Sequence, residues 1–78
     1  MSAEEIISAQ RARGAEVGRV WAASLEEPVS REVIIAEADR RWPYESANLI
    51  AAYNLSGGFI VGATQQFAGR SNTENEGK

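Results

Sequence analysis

Hydrophobic residues in the first third of the chain recur at spacings of three and four, the period of an α-helix. Ser2-Ala3-Glu4-Glu5 matches a capping box and predicts a helix from about Ala3 to Arg13. Gly14 predicts a break in this helix, although one continuous helix through it is the alternative, at a cost of roughly 1 kcal/mol per glycine. Beyond Gly14, an apolar stripe predicts a helix over about 15–25. The stripe consists of Val17, Val20, Trp21, Ser24 and Leu25.

Small residues form a second stripe on the same segment. Gly14, Gly18 and Ala22 are spaced by four, so they share one face of a helix. Small side chains let a neighbouring helix approach closely. We expect this face to pack inside the molecule, and a seam between two copies of the chain is the alternative.

The middle of the chain carries the start and stop signals of another helix. Ser30 is a good N-cap, and Val29 and Ile34 are spaced as a hydrophobic staple. The pattern predicts a helix from Arg31 to about Arg41, which Trp42-Pro43 ends because the residue before a proline avoids the helical region. The positions that face the core are Ile34, Ile35, Ala38 and Trp42.

The last third of the chain changes its period. A third helix is predicted from about Tyr44 to Asn54, and the Ser56-Gly57-Gly58 run predicts its end. Residues then alternate in character from Phe59 to Phe67, which predicts one strand or a short hairpin. Residues 69–78 include no large apolar side chain and predict a disordered tail.

These elements together predict an α+β fold of three or four short helices followed by a small β-hairpin. One small domain is expected over residues 1–68, with a disordered tail over 69–78. A core of this size supplies only about 3–5 kcal/mol. The 78 residues include no cysteine and no histidine, so disulfides and a Cys/His zinc site are excluded. A homodimer or a complex with another protein is therefore an expected source of further stability.

The charge balance is weakly acidic, with 8 Lys and Arg against 11 Asp and Glu. Such a chain is not drawn to phosphates in general, which argues against nucleic acid unless basic residues cluster locally. The start lacks a basic region followed by an apolar run, and the longest apolar stretch, 49–63, is interrupted by polar residues. We therefore expect a cytoplasmic protein without a secretory signal or a membrane span.

The residues that usually carry catalysis are scarce. Without His or Cys, nucleophile–base pairs reduce to Ser or Thr with lysine, and the only lysine is Lys78. Glu37 and Asp39 are two apart on a helix and point to different faces. We expect no enzyme, no metal and no cofactor. A carboxylate site that joins Glu37 or Glu45 to a second acid is the enzymatic alternative.

The stretch from Pro28 to Val61 resembles the winged helix branch of the helix-turn-helix proteins. The likeness lies in Pro28-Val29-Ser30-Arg31-Glu32 opening a helix, the inner positions Ile34 and Ala38, the turn at Trp42-Pro43, and Ala47, Ile50 and Ala51 in the next helix. Leu55-Ser56-Gly57-Gly58-Phe59-Ile60 then leads into a strand. The resemblance implies that the helix 44–54 enters a DNA major groove, with the segment after Phe59 as the wing.

Two functions follow from this sequence. The helix 44–54 has no lysine or arginine and the segment 59–67 has no charge, which favours a protein-binding regulator or inhibitor of the kind that phages and mobile elements carry. A winged-helix DNA-binding regulator is the alternative, and it requires clustered arginines. Tyrosines suit a protein contact, and arginines or small polar groups suit phosphates and bases. The candidate contact residues are Arg31, Arg40, Arg41, Tyr44, Ser46, Asn48, Tyr53 and Arg70.

Overall fold

A computed structural model describes residues 2–45 and 47–76, with side chains described as far as Arg70. This part of the chain forms three helices: α1 (Ala3–Ser24), α2 (Arg31–Arg41) and α3 (Leu49–Glu76). No strand occurs within these two ranges. The predicted α+β class and its terminal hairpin are therefore wrong, and with them the winged helix, because the segment expected to form the wing is helical.

α1 begins as predicted and ends later than predicted. The Ser2 hydroxyl accepts a hydrogen bond from the Glu5 amide at 3.2 Å, which confirms the N-cap. The predicted break at Gly14 is wrong, because α1 continues to Ser24 and the alternative of one helix holds. Gly14 and Gly18 are buried against α3, and this packing outweighs the low helix propensity of glycine.

α2 has the predicted bounds. Ser30 is its N-cap, with its hydroxyl accepting from the Val33 amide at 3.4 Å. Ile34 and Ala38 are buried, as expected for core positions. The Trp42 amide donates to the Ala38 carbonyl at 2.9 Å and closes the last turn before Pro43.

α3 replaces both the predicted third helix (44–54) and the predicted strand (59–67). The pattern was ambiguous because Phe59, Ala63 and Phe67, all buried, fit a strand period of two and a helical spacing of four equally well. Ser56-Gly57-Gly58 does not end the helix, since Gly58 faces the backbone of α1. Residues 69–76, expected as a tail, form the last part of α3, and residues 77–78 lie outside the described residues.

α1 and α3 run parallel to each other. Gly14 lies beside Leu55 and Phe59, and Gly18 lies beside Phe59 and Ala63, so both helices advance in the same direction along their contact. α2 therefore returns the chain to the start of α3. Among the described elements, α1 and α2 each pack on α3, and the backbones of α1 and α2 do not approach each other closely.

This arrangement makes the molecule elongated and thin. Its principal extents are 48 × 25 × 15 Å. The radius of gyration is 13.8 Å, against about 11.5 Å expected for a compact domain of this length. The chain is therefore more elongated than a compact domain of its length.

Glycines on both helices hold α1 and α3 at backbone contact. A Cβ atom on Gly58 would lie only 2.9 Å from the Arg11 carbonyl carbon and 3.0 Å from the Ala15 amide nitrogen. Gly62 is equally close to the Ala15 backbone, with a Cβ atom 2.7 Å from its Cα. The burial of the small stripe on α1 confirms that it packs inside the molecule. It consists of Gly14, Gly18 and Ala22.

Phe59 is the centre of the hydrophobic core. Its side chain is fully buried, and its ring centroid lies 5.2 Å from that of Trp21 and 5.7 Å from that of Trp42. The Arg41 guanidinium lies 5.4 Å from the same ring centroid, within range of a cation–π interaction. One residue of α3 thus joins all three helices.

Candidate functional site

The arginines expected to contact nucleic acid at the end of α2 are engaged with an acid of the same helix. Arg40 donates to both carboxylate oxygens of Glu37, at 3.1 and 2.6 Å, and Arg41 donates to one of them at 2.8 Å. The hydrogen bond from Arg40 is the main reason that the pKa of Glu37 is lowered below its usual value. Glu37, one of the two carboxylates named in the enzymatic alternative, is therefore an anion held by two cations of α2.

Arg70 caps the end of α1. Its guanidinium donates to the carbonyl oxygens of Ala22 (3.3 Å), Leu25 (3.1 Å) and Glu26 (2.7 Å). The last carbonyls of a helix lack partners within the helix, and a cation there also complements the helix dipole. Arg70 was predicted as a phosphate contact, and its observed contacts are structural.

The four arginines do not gather into one basic patch. Arg31 is exposed at the start of α2, whereas Arg40 and Arg41 stand at its other end, about 15 Å along the helix axis. Arg40, Arg41 and Arg70 contact groups of this chain. The clustered arginines that a DNA-binding regulator requires are therefore not assembled.

The two candidate tyrosines lie in one groove. Tyr44 and Tyr53 both line a cavity of about 600 Å³ between α1 and α3, which we name the tyrosine groove. The Tyr44 hydroxyl is 3.2 Å from the hydroxyl of the buried Ser56, which anchors the segment before α3. Arg11, Ala12 and Ala15 form the α1 wall of the groove, with Gly58, Ile60 and Val61 opposite.

The remaining two candidates lie near the start of α3. Asn48 is exposed, and its carbonyl accepts from the Ala52 amide at 2.8 Å, the first hydrogen bond of the helix. Ser46 lies outside the described residues. Asn48 is not among the residues that line the tyrosine groove.

An exposed stripe on α3 adjoins the groove and was missed by the sequence analysis. Its members recur at spacings of three and four and are all exposed, and Tyr53, Gly57 and Val61 among them also line the tyrosine groove. We name this stripe the outer face, and it consists of Ile50, Tyr53, Gly57, Val61, Thr64 and Ala68. The sequence signal that could have revealed it is the absence of any charged residue from Leu49 to Gly69.

A second cavity separates α1 from α2. Its volume is about 620 Å³, with Val17, Val20 and Trp21 along α1. Arg13, Glu16 and Arg41 also line it, so charges of both signs surround its apolar part. This mixed border distinguishes the cleft from the uncharged outer face.

Among the described residues, no group of three or more acidic side chains is placed to hold a metal ion. The buried polar residues are satisfied within the fold: Asn54 donates to Gln10 at 2.9 Å, and Ser56 donates to the Tyr53 carbonyl at 3.3 Å. The outer face and its groove are surface that the packing of the three helices leaves exposed.

Two further findings bear on function. Within the part of the chain that the structure describes, no helix is both long and apolar enough to cross a membrane. Comparison with protein-family models, curated proteins and solved structures finds no match to this chain.

Proposed function

We propose that this protein is a non-enzymatic protein-binding module, a small regulator or inhibitor that contacts another polypeptide through the outer face and the tyrosine groove. The observation that carries the proposal is an uncharged, apolar helix face left open to solvent. Ile50 is 73% exposed, Tyr53 62% and Val61 52%. A surface helix normally carries charged residues on its solvent side, and this one carries none from Leu49 to Gly69.

The composition of the surface supports a protein partner. The centres of protein interfaces are depleted in charge and enriched in tyrosine, and their energetic anchors are often aromatic residues in pockets. Tyr44 and Tyr53 are both about half exposed or more, at 52% and 62%, beside a concave groove. Each has a large apolar ring and a polar tip, so each remains soluble while uncovered.

The shape of the fold supports the same conclusion. Stable domains are built from at least two packed layers around a core. Here α1 and α2 flank α3 and leave its outer face uncovered. A contiguous exposed apolar patch on a small protein marks an interaction surface.

Nucleic acid is the less favoured partner on three counts. The net charge is −3, and the outer face offers no cation to neutralise phosphate. Arg40, Arg41 and Arg70 contact groups of the chain itself.

Substitution of Tyr53 by glutamate tests the proposal, because it places a charge at the centre of the outer face. The native chain and its variants are immobilised and used as bait. The Tyr53→Glu variant is expected to capture at least about tenfold less of the partner polypeptide than the native chain, since burying an unpaired charge costs several kcal/mol. The measurement is quantitative mass spectrometry of proteins, including untagged copies of this chain, retained from an extract of cells that contain it.

Val20→Glu is the matched control. Val20 is 66% exposed on α1, beside the other cleft, and it also gains a charge on a helix surface. Capture by this variant is expected to equal that of the native chain. Equal capture by all three baits, or a loss confined to Val20→Glu, would contradict the assignment of the outer face.

A further inference from the structure

We infer that the polypeptide covering the outer face is a second copy of this chain, with the two α3 helices antiparallel across a two-fold axis at Gly57. The inference rests on the proposed function, because it names the partner of the same surface. Its support comes from the spacing of the face, the open glycine at its centre, the absence of charge and the available area.

The positions of the outer face are symmetric about Gly57. Tyr53 and Val61 lie four residues on either side of it, and Ile50 and Thr64 lie seven on either side. In an antiparallel pair centred on Gly57, Tyr53 of each copy meets Val61 of the other, and Ile50 meets Thr64. A two-fold interface needs this self-matching, in which residue i contacts residue j and j contacts i. The larger side chain of each pair then meets a smaller one.

Gly57 supplies the close approach that such a pair needs. A Cβ atom added to it would meet no atom of the chain within 4 Å, so internal packing does not account for a glycine at this position. The adjacent Gly58, by contrast, lies against the backbone of α1. Small residues at a helix crossing let two backbones approach, as they do between α1 and α3.

The absence of charge suits a face that meets itself. Near a two-fold axis each side chain lies close to its own copy, so any charge there faces a like charge. The outer face has no ionisable group apart from the Tyr53 hydroxyl, and the helix has no Asp, Glu, Lys or Arg from Leu49 to Gly69. The outer face itself therefore brings no like charges together, and Arg11, which lines the adjoining groove, belongs to α1.

The exposed area is sufficient for a weak dimer. Ile50, Tyr53 and Val61 are each 52–73% exposed. Each therefore offers on the order of 100 Å² of surface. With the smaller residues between them, two copies would bury on the order of 1,000 Å² in total, the lower bound for a specific interface. An interface at this lower bound is typical of a weak, transient dimer, so a dissociation constant on the order of micromolar or weaker is expected.

Disulfide trapping tests the antiparallel arrangement directly, because the native chain contains no cysteine. Full-length Tyr53→Cys and Val61→Cys chains are mixed and oxidised mildly, and the products are separated by mass. The mixed 53–61 dimer is expected to form about tenfold faster than a dimer from Val20→Cys paired with Val61→Cys, since disulfides require Cα atoms within about 7 Å. Formation of only 53–53 and 61–61 dimers would overturn the antiparallel arrangement.

Sedimentation equilibrium over 1–500 μM, a range chosen to bracket the expected constant, tests the second copy itself. The native chain and Val20→Glu are expected to dimerise alike, whereas Gly57→Glu, which brings two like charges to the axis, is expected to dimerise at least about tenfold more weakly. Circular dichroism verifies that the variants remain helical. A native chain that stays monomeric throughout, with no 53–61 disulfide, would overturn the inference.

Failure of the dimer is distinguishable from failure of the proposed function. A monomeric chain whose capture of a different protein still depends on Tyr53 refutes the second copy and leaves the protein-binding module standing. If the chain is monomeric and Tyr53→Glu captures as much polypeptide as the native chain, both the second copy and the protein-binding function are refuted.

Discussion

Gly58→Ala is expected to remove a large part of the protein's stability. The added methyl group would overlap the Arg11 carbonyl oxygen and lie 3.0 Å from the Ala15 amide nitrogen. Both are backbone atoms inside a helix, so they can move away from the methyl group only if α1 and α3 separate. Overpacking of this kind costs about 1–3 kcal/mol or more. A domain of this size has only about 3–5 kcal/mol of stability to lose.

The neighbouring glycine provides the matched control for this prediction. Gly57→Ala introduces the same methyl group into open space on the same helix. It is expected to stabilise the dilute protein by about 0.5–1 kcal/mol, since alanine has the higher helix propensity. Urea unfolding followed by circular dichroism measures both variants. Equal effects of the two substitutions would contradict the backbone contact between α1 and α3.

Phe59→Ala is expected to be the other most damaging substitution. The phenylalanine is fully buried and contacts Trp21 and Trp42, which lie on different sides of the core. Removal of a buried aromatic ring costs about 3–5 kcal/mol, and the aromatic pairs add about 0.5–1.5 kcal/mol each. The variant is expected to show a non-cooperative or absent unfolding transition, with tryptophan fluorescence shifted toward that of the exposed indole.

Val61→Ala is the control for Phe59→Ala. Val61 lies two residues further along α3 and is 52% exposed. Its truncation in the dilute protein is expected to change the free energy of unfolding by no more than about 0.5 kcal/mol. A phenylalanine variant as stable as this control would show that Phe59 does not join the three helices.

Local signals predicted the start of α1 and both bounds of α2, but not the continuation of α1 through Gly14. Ser2 and Ser30 each cap a helix through a hydrogen bond within one helical turn. Such N-caps can therefore be predicted from the sequence without knowledge of the rest of the fold. The bounds of α2 were obtained entirely from such signals. The role of Gly14, Gly18 and Ala22 as an internal packing face was also predicted correctly, because spacing by four fixes the face.

α3 was predicted wrongly because its helical state depends on contacts distant in sequence. The local sequence around Gly58 predicts the end of a helix. The helix continues because Gly58 packs against the backbone of α1. Phe59, Ala63 and Phe67 satisfy both the strand and the helical period. Short apolar runs of this kind are decided by tertiary packing rather than by pattern.

The contacts of the candidate residues could be predicted only in part, because some of them also join residues distant in sequence. Tyr44 and Tyr53 were selected for their chemistry, and the structure places both in one groove. Arg70 was assigned to phosphates because the three carbonyls it contacts lie 44–48 residues away in sequence. The outer face was missed because a helix divided in two at Gly57-Gly58 has no continuous exposed side.

Photo-crosslinking from the outer face tests the central claim most directly. A benzophenone amino acid in place of Val61, or of the similarly exposed Val20 as control, is irradiated in cells that contain the protein. The account predicts a covalent adduct with another polypeptide, either a second copy or a different protein, from position 61 and little from position 20. Adducts from position 20 alone, or from neither position, would contradict the claim that the outer face of α3 is where this protein binds its partner.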